Sequence, residues 1–168
     1  MKKFVRKSRK SQEKIDWKKQ FEILTVIATM YGFEVKLHAR ASSEINWNAV
    51  PNNKPAYISI QTRSYEKMTY DMLHELGHHR LRIDWKKYKT RYPATAFSEI
   101  QMFKYGISKY MRRTDAMIDE LREEYDAWDE AAKIADKYNI TVNKKNFNSL
   151  RIKSLTAYVR HYGRRLKD

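Results

Sequence analysis

The chain alternates apolar and polar residues only between residues 33 and 62, which confines any β-sheet to a short part of its length. Phe33–Ala39 and Ala56–Thr62 show the alternation that is typical of half-buried strands, and a shorter strand is expected near Ile45–Ala49. Pro51–Pro55 combines two prolines with two asparagines and therefore predicts a turn. Two or three short strands with short connections indicate one small antiparallel sheet.

Elsewhere, apolar residues recur at every third or fourth position, as in amphipathic helices. Gly32 is placed to end the first helix, and Ser64 is placed to cap the second. Residues 84–95 contain Pro93 and are interpreted as a linker. One helix, the strands and then four further helices predict an α+β fold, in which about five helices pack on the small sheet. The helices are expected over about residues 12–31, 64–83, 97–111, 114–138 and 146–162.

The 168 residues fit one domain, and the net charge of +15 is concentrated at its ends. Residues 1–19 hold nine Lys/Arg and two acids, and residues 144–168 hold eight Lys/Arg and one acid, which leaves residues 20–143 at +1. We interpret residues 1–19 as a basic segment leading into the first helix, residues 20–143 as the core, and residues 144–168 as a basic C-terminal helix packed on that core.

Several classes of protein are excluded by composition. The chain has no cysteine, which excludes a disulfide-stapled scaffold, a thiolate nucleophile, an iron–sulfur cluster and a cysteine-based zinc finger. The basic N-terminus is not followed by the apolar region of a secretory signal, and no apolar run is long enough to span a bilayer. We therefore expect a soluble protein of the cytoplasm.

The second predicted helix contains the pattern H-E-x-x-H at His74–His78. Residues four apart lie on one helix face, so both imidazoles converge on one point, where they suit zinc. Glu75 lies beside the pair and could take a proton from an activated water. A plain surface helix would explain Gly77 poorly, because a mid-helix glycine costs about 1 kcal/mol relative to alanine.

A catalytic zinc usually has a third protein ligand. The chain offers no cysteine, and its other histidines are not placed to follow the motif, so a carboxylate from the helix over residues 114–138 is the alternative. Glu124 is the only charge on the apolar stripe of that helix and is the preferred ligand, with Glu120, one turn earlier, as runner-up. The stripe comprises Met117, Leu121, Glu124, Trp128, Ala131 and Ala135.

The H-E-x-x-H motif, followed by Glu124-Tyr-Asp-Ala127-Trp-Asp-Glu-Ala131, resembles the gluzincin metallopeptidases. It is most similar to the compact ImmA/IrrE-like group of phages, mobile elements and bacteria, in which the glutamate ligand opens an E-x-x-A-x-x-x-A stretch. The resemblance covers about residues 33–135. It implies a minimal zincin-like fold, Zn²⁺ held by His74, His78 and Glu124, and a protein that is phage-encoded or bacterial and acts in the cytoplasm.

The resemblance implies zinc-dependent hydrolysis of peptide bonds in an intracellular protein substrate. Glu75 would accept the proton of a water in the fourth zinc position and return it to the leaving amine. The strand Ala56–Thr62 would be the edge strand on which an extended peptide adds. Candidate substrate or oxyanion contacts are Tyr125, Tyr70, Arg82 and His79, and Asp71 is a candidate support for the site.

A second hypothesis is a protein that binds nucleic acid or another acidic surface and whose metal site is structural or inactive. Aromatic residues are interleaved with Lys/Arg at both basic ends, and such pairs can stack on bases. Binding of phosphates should weaken steeply as salt rises, whereas hydrolysis of a neutral peptide should not. The oligomeric state is left open. These aromatic residues are Trp17, Phe147, Tyr158, His161 and Tyr162.

Overall fold

A computed structural model describes residues 15–40, 42–47 and 56–165 of the chain. Its fold class is α+β, as the periodicity predicts. Residues 12–14 of the first predicted helix, 48–49 of the second strand and the turn at 51–55 lie outside the described residues. The elements are α1 Trp17–Met30, β1 Glu34–His38, β2 Glu44–Asn46, β3 Tyr57–Gln61, α2 Tyr65–Arg82, α3 Trp85–Arg91, α4 Pro93–Tyr105, a 3₁₀ helix Ser108–Arg112, α5 Thr114–Lys137 and α6 Lys144–Arg165.

The sheet has the order β1-β3-β2 and is mixed, so the expectation of an antiparallel sheet is wrong. β3 pairs with β1 in parallel and with β2 in antiparallel orientation. Alternation along one strand reports which face is buried but carries no information on the direction of its neighbour. β3 is also the central strand, so the expectation that Ala56–Thr62 is an edge strand is wrong, and the edge strands are β1 and β2.

The segment over residues 84–95 is helical and not a linker. α3 begins after Asp84, whose side chain caps it by accepting a hydrogen bond from the Lys87 amide at 3.1 Å. Pro93 does not break a helix here because it occupies the first turn of α4, where its missing amide has no partner to lose. α4 ends at the left-handed Gly106 (φ 69°), so the helix expected over residues 97–111 divides into α4 and the 3₁₀ helix.

The core lies around α2, which packs against α1, β3 and α5. Ile58 and Ile60 of β3 are fully buried against it. α5 crosses α2 so closely that a Cβ atom on Gly77 would lie 2.2 Å from the carbonyl oxygen of Ala127. This close approach is the reason for the mid-helix glycine.

α6 packs on α5, and its Phe147 belongs to the same core through an edge contact with Trp128 (ring centroids 5.2 Å apart). A second, smaller apolar cluster of Tyr88, Tyr92 and Ala96 lies under α3 and α4. No described helix combines the length and the apolar character that a bilayer crossing requires.

Candidate metal centre

The two motif histidines project from one face of α2 into the space between α2 and α5. The Nε2 atoms of His74 and His78 are 3.2 Å apart, and both side chains are buried. His74 stacks on the ring of Trp128, with 4.4 Å between centroids and 21° between planes. This stacking holds the imidazole plane in place.

Glu124 of α5 completes a group of three donors. Its Oε2 is 3.2 Å from His74 Nε2 and its Oε1 is 3.1 Å from His78 Nε2. One donor atom from each residue lies within 4.8 Å of the others, an arrangement that could hold a metal ion. Glu120 lines the neighbouring cleft but is not a member of this group.

The group is electrostatically built around a cation. Burial opposes ionisation of Glu124, but electrostatic interactions with His78 and His74 hold its pKa well below its usual range. Burial also opposes protonation of His78, yet Glu124 and Glu123 raise its pKa. Burial lowers the pKa of His74. A metal ion bound by both histidines would take the place of any proton on their ligating nitrogens.

The hydrogen bonds of the histidines fit metal ligation. Nδ1 of His78 lies 3.1 Å from Oε1 of Glu123, and a carboxylate only accepts, so Nδ1 carries the hydrogen and Nε2 is left to donate its electron pair. Nδ1 of His74 is buried without a hydrogen-bond partner among the described residues, and the contact of Glu124 Oε2 with His74 Nε2 does not have the geometry of a hydrogen bond. A metal ion bound by Glu124 would give its Oε2 a well-placed partner.

Glu123 is held by a buried network and is a functional candidate that the sequence analysis missed. Arg82 donates to both of its oxygens at 2.8 Å, and the Tyr88 hydroxyl donates to Oε2. Arg82 also donates to both oxygens of Glu99, at 2.7 and 2.9 Å. Burial opposes ionisation of Glu123, but His78 and Arg82 lower its pKa to about 2. Arg82 is thus held by two carboxylates while it lines the cleft beside the two histidines.

A signal for this network was present in the sequence. His74, His78 and Arg82 are spaced by four residues and share one face of α2, so a buried Arg82 needs a carboxylate from the helix that covers that face. Glu123 supplies it.

The three donors open into a cleft of about 630 Å³, which we call the metal cleft. Glu75 lines its wall and is 5% exposed, and burial raises its pKa to about 8. Asp71 does not support either histidine. It accepts hydrogen bonds from Ser43 (3.0 Å) and Arg63 (2.9 Å) and so ties the start of β2 to α2.

The tyrosine that lines this cleft is Tyr158, and the candidates Tyr70 and Tyr125 do not line it. The Tyr158 hydroxyl of α6 donates to Oε1 of Glu124 at 2.8 Å, although the sequence analysis named this residue only as an aromatic of the basic C-terminal end. Tyr70 is fully buried away from the cleft, where its hydroxyl donates to Glu66. Tyr125 is half exposed on the other side of α5, under the guanidinium of Arg151. His79 also lies outside the cleft and packs on Tyr31 and Phe33.

The site is therefore a buried group of two imidazoles and one carboxylate that could hold a metal ion, with a second carboxyl group, Glu75, on the wall of the same cleft. No known protein family, curated protein or solved structure matches the chain. The class of the site follows from its own geometry.

Proposed function

We propose that the chain is a zinc-dependent metallopeptidase that hydrolyses peptide bonds of a protein substrate in the cytoplasm. The observation that carries the proposal is the convergence of His74, His78 and Glu124, with the buried Glu75 on the wall of the same cleft. Two imidazoles and one carboxylate form a ligand set of catalytic zinc sites, which keep one position open, whereas structural zinc sites usually close with four protein ligands.

The donors favour zinc over the hard cations. Imidazole nitrogen suits zinc and the later transition metals, whereas Mg²⁺ and Ca²⁺ prefer sites made only of oxygen. Zinc in this group would polarise the scissile carbonyl and lower the pKa of a water to about 7. The resemblance of the motif to the ImmA/IrrE-like gluzincins supports the same metal.

The protein residues around the metal move protons and hold the ligands. Glu75 accepts a proton from the attacking water and passes it to the leaving amine, and a pKa of about 8 suits a group that does both near neutral pH. Glu123 keeps His78 in the tautomer that ligation requires. Burial and Glu124 raise the pKa of Tyr158, so its hydroxyl stays protonated and holds the Glu124 carboxylate.

An extended substrate would bind along β2. Within the described residues this strand pairs only with β3, so its other edge offers unpaired backbone groups for an added strand. Ser43 and Glu44, at the start of β2, line the metal cleft together with Glu75. A peptide on this edge therefore passes the metal ligands.

Binding of an acidic surface is the second candidate, and it has its own observation. α6 carries seven Lys/Arg and no Asp/Glu, and Lys153 of this helix lines the metal cleft. The two functions are compatible, because a basic helix beside the cleft can attract an acidic protein or a nucleic-acid-bound target. A salt titration separates the two functions: binding of an acidic partner should weaken as salt rises, whereas hydrolysis of a neutral peptide should not.

Metal content and peptidase activity test the proposal together. Protein purified without a histidine tag should hold one zinc per chain and cleave a proteome-derived peptide library, with cleavage sites read by mass spectrometry. Glu75→Gln should keep the zinc and lose cleavage. Glu124→Ala should lose the zinc, whereas its matched control Glu120→Ala should keep it.

Two results would overturn the proposal. A wild-type chain without a stoichiometric divalent metal has no zinc centre, and an active Glu75→Gln variant removes the general base. Loss of zinc in Glu120→Ala alone would move the third ligand to that residue.

A further inference from the structure

α3 and α4 form a second cavity of about 600 Å³ beside the metal cleft, which we call the side pocket. Both cavities are lined by Ile45 and Trp47 at β2 and by the paired Arg82 and Glu99. The guanidinium of Arg82 lies over the Trp47 ring, 4.5 Å from its centroid. One edge of the sheet thus borders both cavities.

The side pocket is apolar and open to solvent. Trp85 of α3 and Ile100 and Phe103 of α4 line it and are 39%, 38% and 59% exposed. Large apolar side chains that converge on one exposed cavity mark a binding site more often than chance exposure. The volume is that of pockets that bind small ligands or single large side chains.

Lys104 adds a positive charge to the side pocket, where Arg82 and Glu99 are paired with each other. Lys104 lines it, and no carboxylate of the described residues forms an ion pair with this lysine. A ligand for this surface should combine an apolar group with negative charge.

We propose that the side pocket selects the substrate by binding one large apolar side chain of a peptide that carries acidic residues next to it. This inference rests on the proposed peptidase function, because the peptide on β2 is what brings a side chain to the pocket. Ile45 and Trp47 lie at this edge and line both cavities, so one extended chain reaches the pocket and the metal ligands together.

Peptide binding to zinc-loaded Glu75→Gln protein tests the side pocket without cleavage of the probe. The probes are two fluorescein-labelled decapeptides of Gly and Ser that differ only in Phe or Ala between two Asp residues. The Phe peptide should bind about 10-fold or more tightly than its Ala twin by fluorescence anisotropy. Phe103→Ala in the same background should reduce this ratio to near one.

Two further variants make the result specific. Met102→Ala is the matched control, because Met102 is 42% exposed on the same helix but does not line the pocket. It should leave the ratio unchanged. Lys104→Glu should weaken binding of the Phe peptide, and a third peptide with Lys in place of both Asp should regain the affinity.

Each alternative has its own outcome. Equal affinities of the Phe and Ala peptides overturn the proposed role of the side pocket, even where wild-type protein cleaves the peptide library. Wild-type protein that holds no zinc and cleaves nothing overturns the proposed function, and the substrate assignment with it. A dimer by light scattering that Phe103→Ala converts to monomer would show that a second copy occupies the pocket.

Discussion

The α2–α5 layer and the α3–α4 segment border the same cleft but differ in how their side chains are covered. Every residue from 68 to 78 of α2 is buried, and the ionised groups that face α5 are paired. α3 and α4 instead leave Trp85, Phe97 and Phe103 partly exposed. Fully covered groups keep fixed distances, which catalysis requires, whereas open apolar groups can receive a partner. The difference supports our proposal that chemistry and recognition lie in separate parts of the molecule.

Gly77, where α2 and α5 approach most closely, should tolerate substitution least in this layer. Gly77→Ala should destabilise the fold by about 3 kcal/mol, because the new methyl meets the backbone oxygen of Ala127 and no rotamer change can relieve the contact. Urea unfolding followed by circular dichroism measures this. Gly163→Ala on α6 is the control, where the added Cβ has no atom within 4 Å and helix propensity should add up to about 1 kcal/mol of stability. Equal effects at both glycines would contradict the close packing.

Metal loading should stabilise the same layer. Zinc at 100 times its dissociation constant should raise the free energy of unfolding by about 2.7 kcal/mol, provided that it binds only the folded chain. Thermal unfolding of chelator-treated protein, before and after zinc is added back, gives the difference. Glu124→Ala should abolish this zinc-dependent shift, and Phe103→Ala should retain it. A shift that survives Glu124→Ala would place the metal elsewhere.

Removal of the Glu123 carboxylate, which accepts from His78, should weaken metal binding without removing any proposed ligand. Glu123→Gln should lower zinc affinity by about 10- to 100-fold, because an amide accepts less strongly from His78 Nδ1 and leaves Arg82 with one carboxylate fewer. Competition with a chromophoric chelator measures the affinity. Asp129→Asn, which removes an ion pair of α5 with Arg151 outside the cleft, should leave it unchanged.

The open segment should show the smallest change in stability. Phe103→Ala should alter the free energy of unfolding by less than about 0.5 kcal/mol, because the ring is more than half exposed. A loss of 2 kcal/mol or more in urea unfolding would show that the ring supports the fold and would remove the contrast between the two regions.

The sequence predicted the α2–α5 layer well because its signals are periodic. His74, His78 and Glu124 each lie on a helical stripe, and stripes that bury one face must meet in the core. Glu123 was missed because it lies about 100° around α5 from that stripe. It faces Arg82 and also Tyr88, which belongs to a segment that was interpreted as a linker.

The remaining errors concern features that one segment cannot report on its own. Alternation along β3 did not show that its two neighbours run in opposite directions. Pro93 is compatible both with a linker and with the first turn of a helix. The feature that distinguishes a helical segment from a linker here is the side-chain cap at Asp84, where α3 begins. Tyr158 reaches Glu124 because α6 returns over α5, a contact that depends on the tertiary packing.

A crystal structure of zinc-loaded protein, with anomalous data on both sides of the zinc absorption edge, tests the metal centre most directly. We expect one anomalous peak about 2.0–2.2 Å from the Nε2 atoms of His74 and His78 and from one carboxylate oxygen of Glu124. A peak bound by Glu120 in place of Glu124, or no peak between α2 and α5, would contradict the assignment.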